Sequence, residues 1–137
     1  MEEYLIHKDD YGVVICRQHH YAIPPNWISR HFQENHQAIP LQRRKEIEEC
    51  VALLNLLPPS QIQLPSDTIP INGLSVHNGL KCLYEGCNEL KGTTESMRKH
   101  CQRAHKWIKS VGVMWTEQTV QTFFVGSHLK YVFFNCF

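Results

Sequence analysis

No stretch of this chain is apolar for long enough to cross a bilayer, which takes about 20 consecutive apolar residues. The N-terminus, Met1-Glu2-Glu3-Tyr4, lacks the basic-then-apolar pattern of a secretory signal. An intracellular setting is therefore expected, and there thiols stay reduced. The six cysteines are accordingly read as three metal ligands plus free thiols at Cys50, Cys101 and Cys136, not as a disulfide framework. A surplus of charge is missing too. The balance of 14 Lys and Arg against 13 Asp and Glu gives a net charge of +1 and a pI near 7.7. That falls short of a strongly basic nucleic-acid binder. With 42% hydrophobic and 20% charged residues over 137 positions, the composition suits one globular domain or two small modules.

What the chain does have is Cys82-x4-Cys87-x12-His100-x4-His105. Two cysteines on a short knuckle can place both sulfurs about 2.3 Å from one ion, and two histidines five positions apart share a helix face. This is the ligand spacing of a small ββα zinc finger, with one tetrahedral zinc held by all four side chains.

A weaker copy lies upstream, Cys16-x2-His19-x11-His31-x4-His36, with His19 where a second cysteine is expected. The copies are offset by 66 residues at the first cysteine and by 69 at both terminal histidines. Their approaches also match. Leu5-Ile6-His7 leads through Asp9-Asp10-Tyr11-Gly12 into Val13-Val14-Ile15-Cys16, and Leu74-Ser75-Val76-His77 leads through Asn78-Gly79 into Leu80-Lys81-Cys82. Each reads as strand, glycine-containing turn and second strand, and the internal repeat strengthens the degenerate copy. His19 and His20 are adjacent, so either can serve as the second ligand; the two-residue knuckle favours His19. One thiolate and three imidazoles bind zinc less firmly than a set richer in thiolates. A second zinc here, a metal-free finger held by packing and a His-rich surface loop all stay open.

Residues 37–81 separate the two ligand sets, far too many for tandem fingers that track one groove in register. Pro40 suits a first helical position, and Ile47, Cys50, Val51, Leu54 and Leu57 recur at helical spacing until Pro58-Pro59. Arg43, Arg44 and Lys45 with Glu46, Glu48 and Glu49 form the solvated face. The stretch to Gly73, with Pro65 and Pro70, reads as an extended connector. Near the C-terminus, Val120–Val125 and Leu129–Phe134 around Gly126-Ser127-His128 predict an aromatic β-hairpin serving as core or cover. The chain stops at Cys136-Phe137 within an apolar stretch, as a fragment or a truncated reading frame would.

The predicted fold class is small α+β: two zinc-stabilised ββα units, a helix and extended linker, and a C-terminal aromatic hairpin. The divisions fall at 1–38 for the first unit, 39–72 for the helix and linker, 73–107 for the second unit and 108–137 for the hairpin segment.

Six basic residues (Lys81, Lys91, Arg98, Lys99, Arg103, Lys106) face three acidic ones between Lys81 and Lys106, so the metal-loaded second unit carries +3. The first eleven residues carry −3. Counting from His100, the positions that would face DNA are Thr93, Ser96 and Lys99, with Met97 at the core position. Lys99, Arg98, Arg103 and Lys106 are the candidate nucleic-acid contacts, while Thr93 and Ser96 read bases weakly. In the first unit the same positions hold Pro24, Trp27 and Arg30, which makes base readout there implausible.

The strand into Cys16, Ala22-Ile23 after the knuckle, the His31/His36 pair and the mid-chain helix occur in a fixed order. They are followed by Ile71-Asn72-Gly73-Leu74, Gly79-Leu80-Lys81-Cys82, the second finger, and Trp115 with Val120-Gln121-Thr122-Phe123-Phe124. In that order, from about Leu5 to Phe134, the sequence resembles the fungal family named after orsellinic acid biosynthesis cluster protein D. The resemblance implies a fungal, zinc-binding, nuclear protein with two fingers, the first of the Cys-x2-Cys type, and implies no reaction. His19 departs from it, since the family has cysteine there.

The function expected is a zinc-dependent nucleic-acid-binding module of weak sequence preference, DNA ahead of RNA. The alternative is a zinc-stabilised protein-interaction module, suggested by neutrality, the long linker and the apolar hairpin. A zinc hydrolase fails because four protein ligands leave no open coordination position. No enzyme activity, small-molecule substrate or membrane partner is expected.

Overall fold

The structure, a computed structural model, describes residues 1–63 and 70–125, and the backbone of 131–133. It is small α+β, with three α-helices and two antiparallel sheets among the described residues. Its residues fall into two compact units, 1–63 with 72–75 and 123–125, and 70–71 with 76–122 and 131–133.

In the first unit, β1 (Leu5–Lys8) and β2 (Val13–Cys16) form the expected hairpin, with Leu5 opposite Cys16 and Lys8 opposite Val13. Gly12 closes the turn at φ +70, a left-handed conformation that costs glycine least. A Cβ there would also lie 2.9 Å from the Leu57 side chain. Pro25–Trp27 makes one tight 3-10 turn that feeds α1 (Ile28–Asn35), since a proline ring tolerates a first turn where no N–H is needed. α1 buries Ile28, His31 and Phe32 at steps of three and four. Pro40 sits one residue before α2 (Leu41–Ala52), which ends well before Pro58-Pro59. Ile47 and Val51 are its buried line, four residues apart; Cys50 falls outside that line and is exposed, and Leu57 lies beyond the helix.

These elements share one core of Leu5, Val14, Cys16, Ile23, Ile28, Phe32, Ile39, Ile47 and Val51. Each large apolar side chain so buried contributes about 1.5–3 kcal/mol. α2 is thus part of the first finger's core as well as of the connection that follows it.

The second unit holds β3 (Val76–Cys82), β4 (Leu90–Lys91), α3 (Thr94–His105), β5 (Trp115–Thr122) and β6 (Tyr131–Phe133). The sheet order is β4-β3-β5-β6, antiparallel throughout. The turn expected at Asn78-Gly79 is not there. β3 runs straight through it, with Asn78 opposite Thr119 and Gly79 opposite Gln118. A Cβ on Gly79 would lie 2.9 Å from Val120 and 3.1 Å from the Lys91 carbonyl oxygen, so glycine serves close packing, not a reversal. The approaches to Cys16 and Cys82 therefore differ in topology despite their similar sequences.

The C-terminal hairpin exists but is shifted. β5 begins at Trp115 and ends at Thr122, and pairs with β6 through Val120 opposite Phe133 and Thr122 opposite Tyr131. Phe123 and Phe124 are buried, as expected for core. Gly126-Ser127-His128, Leu129, Phe134 and Cys136, and positions 64–69 of the expected connector, lie outside the described residues. Gln121, wholly buried, fastens Ile71 as another strand would. Its Nε2 donates to the Ile71 carbonyl at 2.9 Å and its Oε1 accepts the Ile71 N–H at 2.8 Å.

α3 starts where Thr93 Oγ1 accepts the Ser96 N–H at 3.1 Å, and stops where Lys106 turns left-handed at φ 52. Met97 and Cys101 point into a small core with Cys82 and Trp107. No described helix is long and apolar enough to cross a membrane.

Candidate metal centres

The first knuckle is a tight reversal at the end of β2. The Cys16 N–H bonds the Tyr21 carbonyl at 2.9 Å, the His20 N–H bonds the Cys16 carbonyl at 2.8 Å, and His20 takes φ +61. This turns His19 inward and His20 outward. His19 Nδ1 lies 3.2 Å from Cys16 Sγ, whereas exposed His20 places its Nδ1 3.2 Å from the Gly73 carbonyl oxygen. His31 comes from α1 and His36 from the residue that caps it, whose N–H still bonds Phe32. His36 Nε2 lies 3.4 Å from Cys16 Sγ and 3.1 Å from His31 Nε2.

In the second unit the knuckle joins β3 to β4. The Cys82 N–H bonds the Glu89 carbonyl at 2.9 Å and the Cys87 N–H bonds the Tyr84 carbonyl at 3.0 Å, with Gly86 at φ +79. Cys87 Sγ is 3.2 Å from His100 Nε2. The buried Nε2 of His105 has no hydrogen-bond partner among the described residues. The Tyr84 ring lies parallel over His105, centroids 3.9 Å apart at 14°. Sequence reasoning passed over Tyr84; an aromatic residue inside the knuckle was its only signal.

In each tetrad the ligand atoms all lie within 4.8 Å of one another. Bonds of about 2.3 Å to sulfur and 2.0–2.1 Å to nitrogen, at tetrahedral angles, separate neighbouring S and N atoms by about 3.6 Å and N and N by about 3.3 Å. The contacts of 3.1–3.4 Å come close to those edges. The donor sets, the spacing and the orphaned His105 nitrogen fit a metal ion at either position.

The electrostatics agree. Burial, then the neighbouring His36 and His19 rings, hold the His31 imidazole down to about 4; burial likewise lowers His36 and His100. Burial pushes the Cys16 and Cys87 thiols up. The imidazoles therefore stay in the neutral form that coordinates, and each of these thiols must shed a proton when a cation arrives. Three of the four first-unit ligands are buried (Cys16, His31, His36), but only Cys82 in the second.

Two of the four expected contact residues line one concavity. Lys99 and Arg103, one turn apart on α3, share a shallow concavity with Lys91, Ser96 and His100. Arg98 and Lys106 are exposed outside it. Lys99 is paired with Glu95 at 3.5 Å and Lys91 with Glu89 at 3.4 Å, while Arg103 makes no ion pair among the described residues. The Thr93 hydroxyl is engaged in capping and bonds that of Ser96 at 3.0 Å.

A knuckle and a helix gripping four Cys and His side chains, twice over, define a double-finger module that could hold metal ions. The chain belongs to the orsellinic acid/F9775 biosynthesis cluster protein D family, whose profile matches residues 3–106. It is similar to the Emericella nidulans protein of that name, 30% identical over 122 residues. The alignment takes in 88% of this chain but 24% of the relative, so the chain spans about a quarter of that protein's length. No solved structure matches the chain.

Proposed function

We propose that both tetrads hold zinc and that the chain is a nuclear, non-enzymatic finger module binding nucleic acid with weak sequence preference, DNA ahead of RNA. The observation that carries the metal reading is the pair of Cys/His tetrads at tetrahedral spacing. Zinc suits a tetrahedral set of thiolate and imidazole better than magnesium or calcium, which take oxygen ligands. Four protein ligands per site leave no position open for water or substrate.

The concavity of Lys91, Lys99 and Arg103 supports the nucleic-acid reading, since three cations on one face suit phosphate. Removing one phosphate-binding side chain makes the dependence of log affinity on log salt shallower by about one. Lys99→Glu with Arg103→Glu should therefore abolish retention on DNA at moderate salt while zinc content stays at the wild-type level. Wild type failing to bind DNA or RNA at low salt would end this reading. Protein interaction would then take its place, favoured by exposed Leu83, Ile108, Val111 and Val113 in the second unit.

A further inference from the structure

We infer that Tyr84 is a positioning residue for the second metal centre, holding the His105 imidazole by ring stacking where a hydrogen bond would ordinarily do so; the inference rests on the reading that this tetrad holds zinc.

A metal-binding histidine usually donates its second ring N–H to a carboxylate, carbonyl or water, which fixes the ring's orientation. Among the described residues, His105 has no such partner from the protein. Neither ring nitrogen makes a hydrogen bond within the protein among the described residues. It is also the last residue of α3, and the next, Lys106, has already left helical geometry at φ 52. A side chain at a helix end, with no protein hydrogen bond on its ring among the described residues, is better held by a further restraint.

Tyr84 supplies one. Its ring covers the His105 face at 3.9 Å and 14°. The Tyr84 backbone is tied in turn to the knuckle, because its carbonyl accepts the Cys87 N–H at 3.0 Å. The stack therefore links the cysteine half of the tetrad to the far end of the helix. Coordination draws electron density from an imidazole, and an electron-rich phenol ring is a good partner for it. Among the described ring contacts of the other tetrad there is no parallel stack on a ligand; Tyr21 meets His19 at 35° and His31 at 83°.

The test uses the full chain and zinc, with the ring resonances of His100 and His105 followed by NMR and affinity read against a competing chelator. Tyr84→Ala should weaken zinc binding at the second site about two- to tenfold, the range of a stacked aromatic pair. His105 ring protons, shifted upfield by the tyrosine in the zinc-loaded wild type, should move downfield in that variant. Tyr84→Phe keeps a ring and should restore both readings. Tyr84→Leu keeps bulk alone and should not. Leu83→Ala, an exposed neighbour in the same knuckle, should match wild type. The inference is overturned if Tyr84→Ala and Leu83→Ala behave alike, or if zinc-loaded wild type shows no upfield shift at His105, which needs no variant to fold. If neither histidine responds to zinc in the wild type, the metal reading itself fails and takes the inference with it.

Discussion

Adjacent histidines in the first knuckle have opposite fates. His19 faces Cys16 at 3.2 Å and His20 faces Gly73, so His19→Ala should lower metal content while His20→Ala leaves it near two ions per chain. Elemental analysis of both variants decides it; the reverse pattern would relocate the ligand. Cys87→Ser should release one metal ion and unfold α3, because binding in such fingers supplies on the order of 10–16 kcal/mol of folding free energy. Retained metal in that variant would refute the assignment. Acid should act through His31. In the unfolded chain its imidazole takes a proton near 6.5, but in the folded chain only near 4. The stabilisation is complete above that range and is lost as pH falls from 6.5 to 4, because there only the unfolded state is protonated. Denaturant midpoints of the chelated protein should fall across that window, and a flat profile would contradict the burial of His31. These residues were legible because ligand spacing is local: the turn between two cysteines and the pitch of one helix settle which side chains can meet.

Elements were harder to read than ligands. Asn-Gly is a strong hairpin signal, yet β3 passes through Asn78-Gly79 without turning. The reason lies in β5, whose Thr119 and Gln118 face those two residues from far along the chain. No local pattern reports such a partner. Trp115–Thr119 went unread as strand because Thr116-Glu117-Gln118-Thr119 is a polar run without alternation, and it pairs with a neighbour the sequence does not name. Capping was legible, as Thr93 shows. Gly79→Ala should cost about 1–3 kcal/mol, the usual range for forcing a methyl group into packed surroundings, and thermal denaturation would show it. A melting curve unchanged from wild type would mean that Val120 and the Lys91 carbonyl yield freely.

At the scale of the molecule, the two units rest on different supports. Among the described residues, the apolar cluster around the first tetrad has nine buried members, one of them the ligand Cys16, and the cluster around the second has four, one of them the ligand Cys82. Chelation should therefore melt the second finger and leave the first unit largely folded. Backbone amide spectra before and after removal of metal would show this, and equal collapse of both would refute it. Ile47→Ala should reverse the asymmetry, destabilising the first unit by about 2–5 kcal/mol without touching any ligand.

Cys16 is wholly hidden, and His31 and His36 nearly so. That concealment bears on time rather than on strength. An ion held beside a thiol so deep in the core should exchange only slowly once the chain has folded around it. In the second tetrad, where only Cys82 is buried, a bound ion should trade with the surroundings far faster.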